Sequence, residues 1–280
     1  MIDTHLHIWN FSKAKYPWLD GNTTILNRTY TIEELSAERI AVGVTKAVLV
    51  QASNNFEDTD WMLENAATVD WVAGVVGWLP LQQPELVTEV LEKKYLKNNY
   101  FKGVRHLIHD EPDPQWLLQP AVIESLKILA ENGIPYDVVG VLTEHIETVL
   151  KVAEKVPGLR MIFDHLNQPP IASKQSFGKW GVLMQEASKN KNFYAKISGL
   201  GTASGNVESW TENDLKPSIN FIIQEFGVDR CLCGGDWPVC LLAGSYSKTI
   251  GAYQHIIQGL VGAADQEKIF DTNAEAFYNL

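Results

Sequence analysis

His5 and His7 stand on either side of one leucine in the segment Ile2-Asp3-Thr4-His5-Leu6-His7-Ile8. Side chains alternate along an extended chain, so both imidazoles project from one face, while Ile2, Thr4, Leu6 and Ile8 share the other, mostly apolar, face. Paired imidazoles at the end of a buried strand suit two tasks: holding a metal ion, or donating hydrogen bonds to a carbonyl under attack. Far along the chain, Cys231-Leu232-Cys233-Gly234-Gly235-Asp236-Trp237-Pro238 reads as an apolar strand that ends in an aspartate before a loop. A carboxylate brought beside imidazoles suits general-base chemistry on water.

These groups need elements to carry them, and the chain alternates strand and helix signals. Apolar, β-branched or aromatic runs fall at 2–8, 46–51, 71–79, 102–107, 134–140, 160–165, 193–198 and 231–236. Helical segments fit 31–42, 57–69, 84–98, 115–132, 143–155, 177–190 and 212–226. In the fifth of these, Ile146, Val149, Leu150 and Ala153 mark one face at helical spacing, Thr143 is a candidate N-cap, and Pro157-Gly158 ends the run. Eight strands interleaved with helices predict a (β/α)8 TIM barrel, one domain spanning residues 1–280. Residues 10–30 and 199–211 lack periodicity and follow strands, so they belong over the barrel mouth.

The expected strands carry polar residues at their carboxyl ends: His7, Gln51, Trp78, Arg105, Asp137, His165, Lys196 and Asp236. On the seventh, Tyr194, Lys196 and Ser198 share one face and Phe193, Ala195 and Ile197 the other. Burying unpaired charge is costly, so polar side chains converging at one rim read as a site.

Composition narrows the partners. A formal charge of -11 argues against nucleic-acid and anionic-membrane binding. No apolar run is long enough to span a bilayer, and no signal segment precedes the first strand. Three cysteines do not make a disulfide framework, which makes the cytoplasm the expected location. A homo-oligomer is compatible with this composition.

His5-Leu6-His7, Asp164-His165 and Gly235-Asp236-Trp237-Pro238, in this order at strand ends, resemble the amidohydrolase superfamily. More closely, the chain is similar to its sugar-lactonase branch, the L-fuconolactonase and L-rhamnonolactonase-like hydrolases. The opening Ile-Asp-Thr-His-Leu-His-Ile-Trp, Lys102-Gly103-Val104-Arg105-His106, Asp164-His165-Leu166-Asn167-Gln168-Pro169 and the closing Asn273-Ala274-Glu275-Ala276-Phe277-Tyr278 carry that likeness over the whole chain. The resemblance implies hydrolysis of a sugar-acid lactone, with a small-molecule substrate. Asp236 would act as base, and His5, His7 and His165 would polarise the carbonyl. Arg105, Lys196, Gln51 and Trp78 would contact the sugar.

The chain departs from the binuclear pattern of the superfamily. Its fourth strand offers Arg105 and His106 and its fifth Asp137, so the bridging lysine and one histidine ligand are missing. A single zinc or other divalent ion on His5, His7, His165 and Asp236 is compatible with the donor types. Four protein ligands would leave no open position for water, so no metal is expected to be required. Two other readings use the same residues: a zinc-dependent non-oxidative decarboxylase, and a non-catalytic sugar-binding barrel.

The remaining conspicuous residues are read as structural. Cys231 and Cys233 should face the outer helices, Cys240 lacks an activating histidine, and His145 and His255 should be surface residues on helices. Trp9, Tyr16 and Trp18 suit either stacking on a sugar or pinning the first loop. His106 and Asp137 are ambiguous in parity.

Overall fold

The computed structural model describes residues 1–173 and 176–280. Eight parallel strands, β1 (Ile2–Leu6), β2 (Lys46–Val50), β3 (Val72–Gly77), β4 (Phe101–His106), β5 (Tyr136–Val138), β6 (Met161–Phe163), β7 (Phe193–Ile197) and β8 (Cys231–Cys233), pair in chain order. Helices α1 (Ser36–Ala41), α2 (Phe56–Ala66), α3 (Pro84–Lys93), α4 (Pro120–Glu131) and α5 (Thr143–Lys155) pack outside them. So do α6 (Gly178–Ser188), α7 (Glu212–Phe226), α8 (Tyr246–Gln258) and α9 (Ala263–Glu267), whereas α10 (Asn273–Tyr278) has a different position. The architecture is the expected (β/α)8 TIM barrel. Among the described residues no helix is long and apolar enough to cross a membrane.

Helix starts follow local chemistry. Pro84 and Pro120 open α3 and α4, where the absent N–H has no intrahelical partner to lose. The helix expected from 115 therefore begins at Pro120, and the one expected over 31–42 begins as a 3₁₀ turn at Ile32–Leu35.

The barrel closes between β8 and β1 just above the strands' paired length. The Asp236 amide donates to the His5 carbonyl at 2.7 Å, and the His7 amide to the Trp237 carbonyl at 2.7 Å. Lower on the seam, side chains replace the ladder. Thr4 Oγ1 donates to the Cys233 carbonyl at 2.8 Å, and Asp3 Oδ1 accepts the amides of His5 and Gly235, both at 2.9 Å.

One expectation for β1 fails here. Its pairing register shifts between Asp3 and Leu6, so strict alternation is broken. Ile2 joins the interior cluster with Val48, Val50, Val76, Ile162 and Leu232, whereas Leu6 and Ile8 lie in the core between strands and helices. The irregularity lets Ile2 and both histidines face inward. The two strand cysteines lie in the outer core, as their alternation with Leu232 requires.

The floor of the barrel is filled by α10, whose Ala274, Phe277 and Tyr278 pack into the interior cluster. Asn273 fixes the helix by donating to the carbonyls of Val228 and Cys231 at 2.7 and 2.9 Å. Arg160 and Lys102, at the amino ends of their strands, hold the carbonyls of Phe277 and Asn279.

Candidate active site

At the opposite, carboxyl-terminal end lies a cavity of about 250 Å³. His7, Arg105, His165 and Asp236 line it, together with Trp18, His109, Gln168 and Thr202 and the apolar Leu107, Val139, Val141 and Val239. Four of the eight residues expected from sequence thus meet at one surface. The other four occupy different places.

His5 is fully buried immediately beneath. Its ring centroid lies 4.8 Å from that of His7 and 4.6 Å from that of His165, and its Nε2 is 3.8 Å from Asp236 Oδ1. Lys196, also fully buried, directs its ammonium to Asp137 Oδ2 at 2.5 Å, Asp164 Oδ1 at 2.8 Å and His5 Nδ1 at 3.3 Å. Enclosed by these partners and with no exposed surface, it supports the site from below instead of contacting a substrate.

Gln51 and Trp78 lie off the cavity. Gln51 brackets Arg105: its side-chain amide donates to the Arg105 carbonyl at 3.1 Å, and its own carbonyl accepts from Arg105 Nη2. Trp78 Nε1 donates to His106 Nδ1 at 3.0 Å, while His106 stacks on Trp116 and meets Glu111 Oε1 at 2.7 Å. His106 is therefore part of the wall outside the cavity, and Asp137 part of the interior below it.

The orientation of the histidines follows from their partners. The Val50 carbonyl lies 2.7 Å from His7 Nδ1, which assigns that nitrogen the proton and leaves Nε2 facing Asp236 Oδ1 at 3.3 Å. His165 Nδ1 meets Ser198 Oγ at 3.0 Å. Burial, reinforced by Lys196 and His165, pushes the His5 pKa well below its ordinary value against the pull of Asp164. Burial lowers His165 as well, against Asp236 and Asp164. In both, burial favours the neutral ring.

Asp164, the neighbour of His165 in sequence, ties these groups together, a role that residue spacing alone does not indicate. Its Oδ2 accepts from Arg105 Nη1 at 3.1 Å. Burial alone would raise its pKa, but Lys196, His5 and Arg105 outweigh that and hold the carboxyl well below the usual range.

Backbone shape presents two of the key side chains. β6 ends at Phe163, and His165, Leu166, Asn167 and Gln168 then run through the left-handed region with φ of 52°, 53°, 51° and 50°. Such a turn costs roughly 1–2 kcal/mol per residue for L-amino acids. Tertiary bonds hold it: Trp180 Nε1 donates to the Leu166 carbonyl at 2.8 Å and Asn167 Nδ2 to the Leu142 carbonyl at 3.0 Å. Asp236 is left-handed too, at φ 58°. Gly199 permits the close fit, since a Cβ there would sit 2.4 Å from His165 Nδ1 and 3.0 Å from Asp236 Oδ2.

The first loop divides its aromatics. Trp9 and Tyr16 are buried; Trp9 Nε1 donates to the Arg28 carbonyl at 2.6 Å and Tyr16 to Asp58 Oδ1 at 2.8 Å, so they pin the loop. Trp18 lines the cavity, its Nε1 bonded to the Ala52 carbonyl at 2.8 Å. His109 and Gln168 line it as well and carried no periodic signal that would single them out. His145, expected at the surface, is buried because its Nδ1 accepts the amides of Val141 and Leu142 at 3.0 and 3.1 Å. His255 is exposed and paired with Glu212 at 2.8 Å. Burial and nearby Asp236 push the Cys240 thiol well above its ordinary pKa, which leaves it unreactive.

One ligand atom from each of His5, His165 and Asp236 lies within 4.8 Å of the others. Two imidazoles and a carboxylate suit a single divalent cation. His7 Nε2, 3.3 Å from Asp236 Oδ1, lies beside this trio, so a three-residue set is available within the four expected from sequence. Three protein ligands would leave a position open for water.

The amidohydrolase family pattern matches residues 2–280. An L-fucono-1,5-lactonase of Burkholderia ambifaria is 28% identical over 282 residues, covering 100% of this chain and 95% of that protein. A crystal structure of an amidohydrolase from Burkholderia multivorans with bound zinc superposes with a TM-score of 0.92 at 26% identity, covering 100% of this chain and 99% of that one. A 2,6-dihydroxybenzoate decarboxylase shares the fold alone, at TM-score 0.69 and 16% identity over 100% and 99% of the two chains. With the barrel, the mouth cavity and the histidine–aspartate cluster in these positions, the chain is an enzyme of the amidohydrolase family.

Proposed function

We propose that this enzyme hydrolyses a sugar-acid lactone. The observation that carries the reading is the single cavity edge where Asp236, His7, His165 and Arg105 meet. The likeness along the whole chain to a protein named L-fucono-1,5-lactonase supports the substrate class. A lactone is an ester, and ester hydrolysis needs an activated water and stabilisation of a carbonyl oxygen.

In this reading Asp236 takes a proton from water as the water oxygen attacks the lactone carbonyl carbon. The negative charge that forms on the carbonyl oxygen is stabilised by Arg105 and by the Nε2–H of His165, whose Nδ1 accepts from Ser198 Oγ. Collapse of the tetrahedral adduct breaks the bond to the ring oxygen, and protonated Asp236 returns its proton to that oxygen. The product is the open hydroxy acid. Lys196, Asp164 and Gln51 hold Arg105 and His5 in place. Trp18 offers an apolar face to the sugar ring.

A divalent ion on His5, His165 and Asp236 would supply Lewis-acid polarisation of the carbonyl. Arg105 Nη1 lies 3.4 Å from His5 Nε2, so a fixed cation already stands at that point of the site. On this ground we infer that hydrolysis does not require the metal.

A pH-indicator screen of aldonolactones, L-fucono-1,5-lactone among them, tests the reading, with metal analysis of the same preparation. Turnover of one or more lactones is expected. A panel with no turnover in either zinc-supplemented or metal-free protein would overturn it.

A further inference from the structure

The closing motif of the chain takes no part in the chemistry above, yet it reaches the same network. Helix α10 enters the barrel from the end opposite the cavity and delivers Tyr278, which is almost fully buried. Its hydroxyl donates to Asp137 Oδ2 at 2.7 Å. That same oxygen accepts from Lys196 Nζ at 2.5 Å, and the ammonium lies 5.5 Å from the centroid of the Tyr278 ring. Lys196 in turn reaches Asp164 Oδ1 and His5 Nδ1. An unbroken chain of polar contacts therefore runs from the barrel floor to the candidate catalytic centre.

We propose that Tyr278 is a positioning residue for this centre, acting through Asp137 and Lys196 on His5 and Asp164. An ammonium group has three protons, and Lys196 has three acceptors around it: Asp137, Asp164 and His5 Nδ1. How far the ammonium leans to each depends on how well the others are satisfied. The Tyr278 hydroxyl supplies Asp137 with a second donor, so Asp137 does not draw Lys196 wholly to itself. The third proton then reaches His5 Nδ1, which also lies 3.4 Å from Asp164 Oδ1, while Arg105 Nη1 stands 3.4 Å from Nε2; the position of the ammonium therefore bears on which ring nitrogen carries the proton. Without the hydroxyl, Asp137 is left buried with Lys196 as its remaining donor. The ammonium would move toward it and away from His5.

Tyr278→Phe removes one oxygen and keeps the ring, including its face toward Lys196. The first readout needs no substrate. Long-range proton–nitrogen spectra of zinc-free protein, with His5 identified by comparison with His5→Gln, should show the His5 ring-nitrogen signals of Tyr278→Phe displaced from those of the parent. Asp137→Asn breaks the next link and is expected to displace them too, which keeps the test decisive should Tyr278→Phe fold poorly. Phe277→Leu disturbs the packing of the same helix and should lower Tm while leaving the His5 signals in place.

The second readout rests on the lactonase reading. Tyr278→Phe should lower kcat by about tenfold with KM within about twofold, as expected when a group is misplaced and not removed. His5 signals and kcat both unchanged in Tyr278→Phe would overturn the proposal. Equal effects from Phe277→Leu would reduce Tyr278 to packing and overturn it as well. A parent protein that opens no lactone would defeat the functional reading alone, since the ring-nitrogen comparison still decides the role of Tyr278.

Discussion

The amide of Asp236 donates to the carbonyl of His5 at 2.7 Å, so the proposed base and the innermost imidazole are joined through the backbone where the barrel closes. β1 and β8 come from opposite ends of the chain, and this bond fixes the separation of the side chains they present. The relationship makes Asp236 accessible to conservative replacement, because its side chain does not hold the seam.

Asp236→Asn is expected to keep Tm close to that of the parent and to lower lactone turnover by roughly two decades or more, the scale of losing general-base catalysis. Steady-state kinetics on the best aldonolactone, with a thermal melt of the same sample, checks both. Turnover within a few fold of the parent would remove Asp236 from the mechanism.

Arg105 has two duties. It is nearly fully buried, paired with Asp164 and bracketed by Gln51, and it also lines the cavity. Arg105→Met should therefore lower both Tm and kcat/KM, since it removes the guanidinium from buried Asp164. Arg105→Lys keeps a charge and loses the planar fork. Its expected cost in kcat/KM is about 1.5–3 kcal/mol, the worth of a hydrogen bond from a charged donor, with a smaller fall in Tm than in Arg105→Met. A lysine variant with parental kinetics would make the fork irrelevant to substrate.

Chelation should leave turnover intact, because Arg105 already provides positive charge beside His5. Zinc added back is expected to bind at no more than one equivalent and to bind more weakly in His165→Asn. Elemental analysis and competition with a chromogenic chelator measure these. Activity lost on chelation and restored only by metal would reverse the expectation.

Asp58, which lies behind the cavity wall and interacts with His7, provides a pH test on stability. Its Oδ2 accepts the amides of Ala52 and Ser53 at 2.7 and 3.2 Å, and burial pushes its pKa up to about 6 despite these bonds and that from Tyr16. A pKa raised on folding means that the protonated form favours the native state. This contribution is full below the unfolded value and is lost as pH rises through about 6. Relative to Asp58→Asn, the parent should lose roughly 3 kcal/mol of stability between about pH 3 and pH 7, because each pH step between the unfolded and folded pKa values is worth about 1.4 kcal/mol. Denaturant midpoints of both proteins at the two pH values measure it, and a constant difference would refute it.

Residue order and spacing were enough to predict the barrel and to point to four polar residues that line the cavity at its mouth. Alternating apolar strands and amphipathic helices have few ways to bury their faces, and the layered (β/α)8 solution follows from order and period. His7, Arg105, His165 and Asp236 were legible because polar residues at the ends of apolar strands have no packing reason to be there. Other features depended on contacts between distant segments, which local spacing does not encode. The left-handed turn over His165–Gln168 runs against local preference and persists through bonds from Trp180 and Asn167. The register shift in β1 breaks the alternation that a regular strand would keep. Lys196 looked like a substrate contact because its strand position was visible, while its pairing with Asp137 and Asp164 was not. Which strand-end groups face the cavity and which are spent beneath it emerges from the closed barrel alone, because that choice depends on who meets whom across the interior.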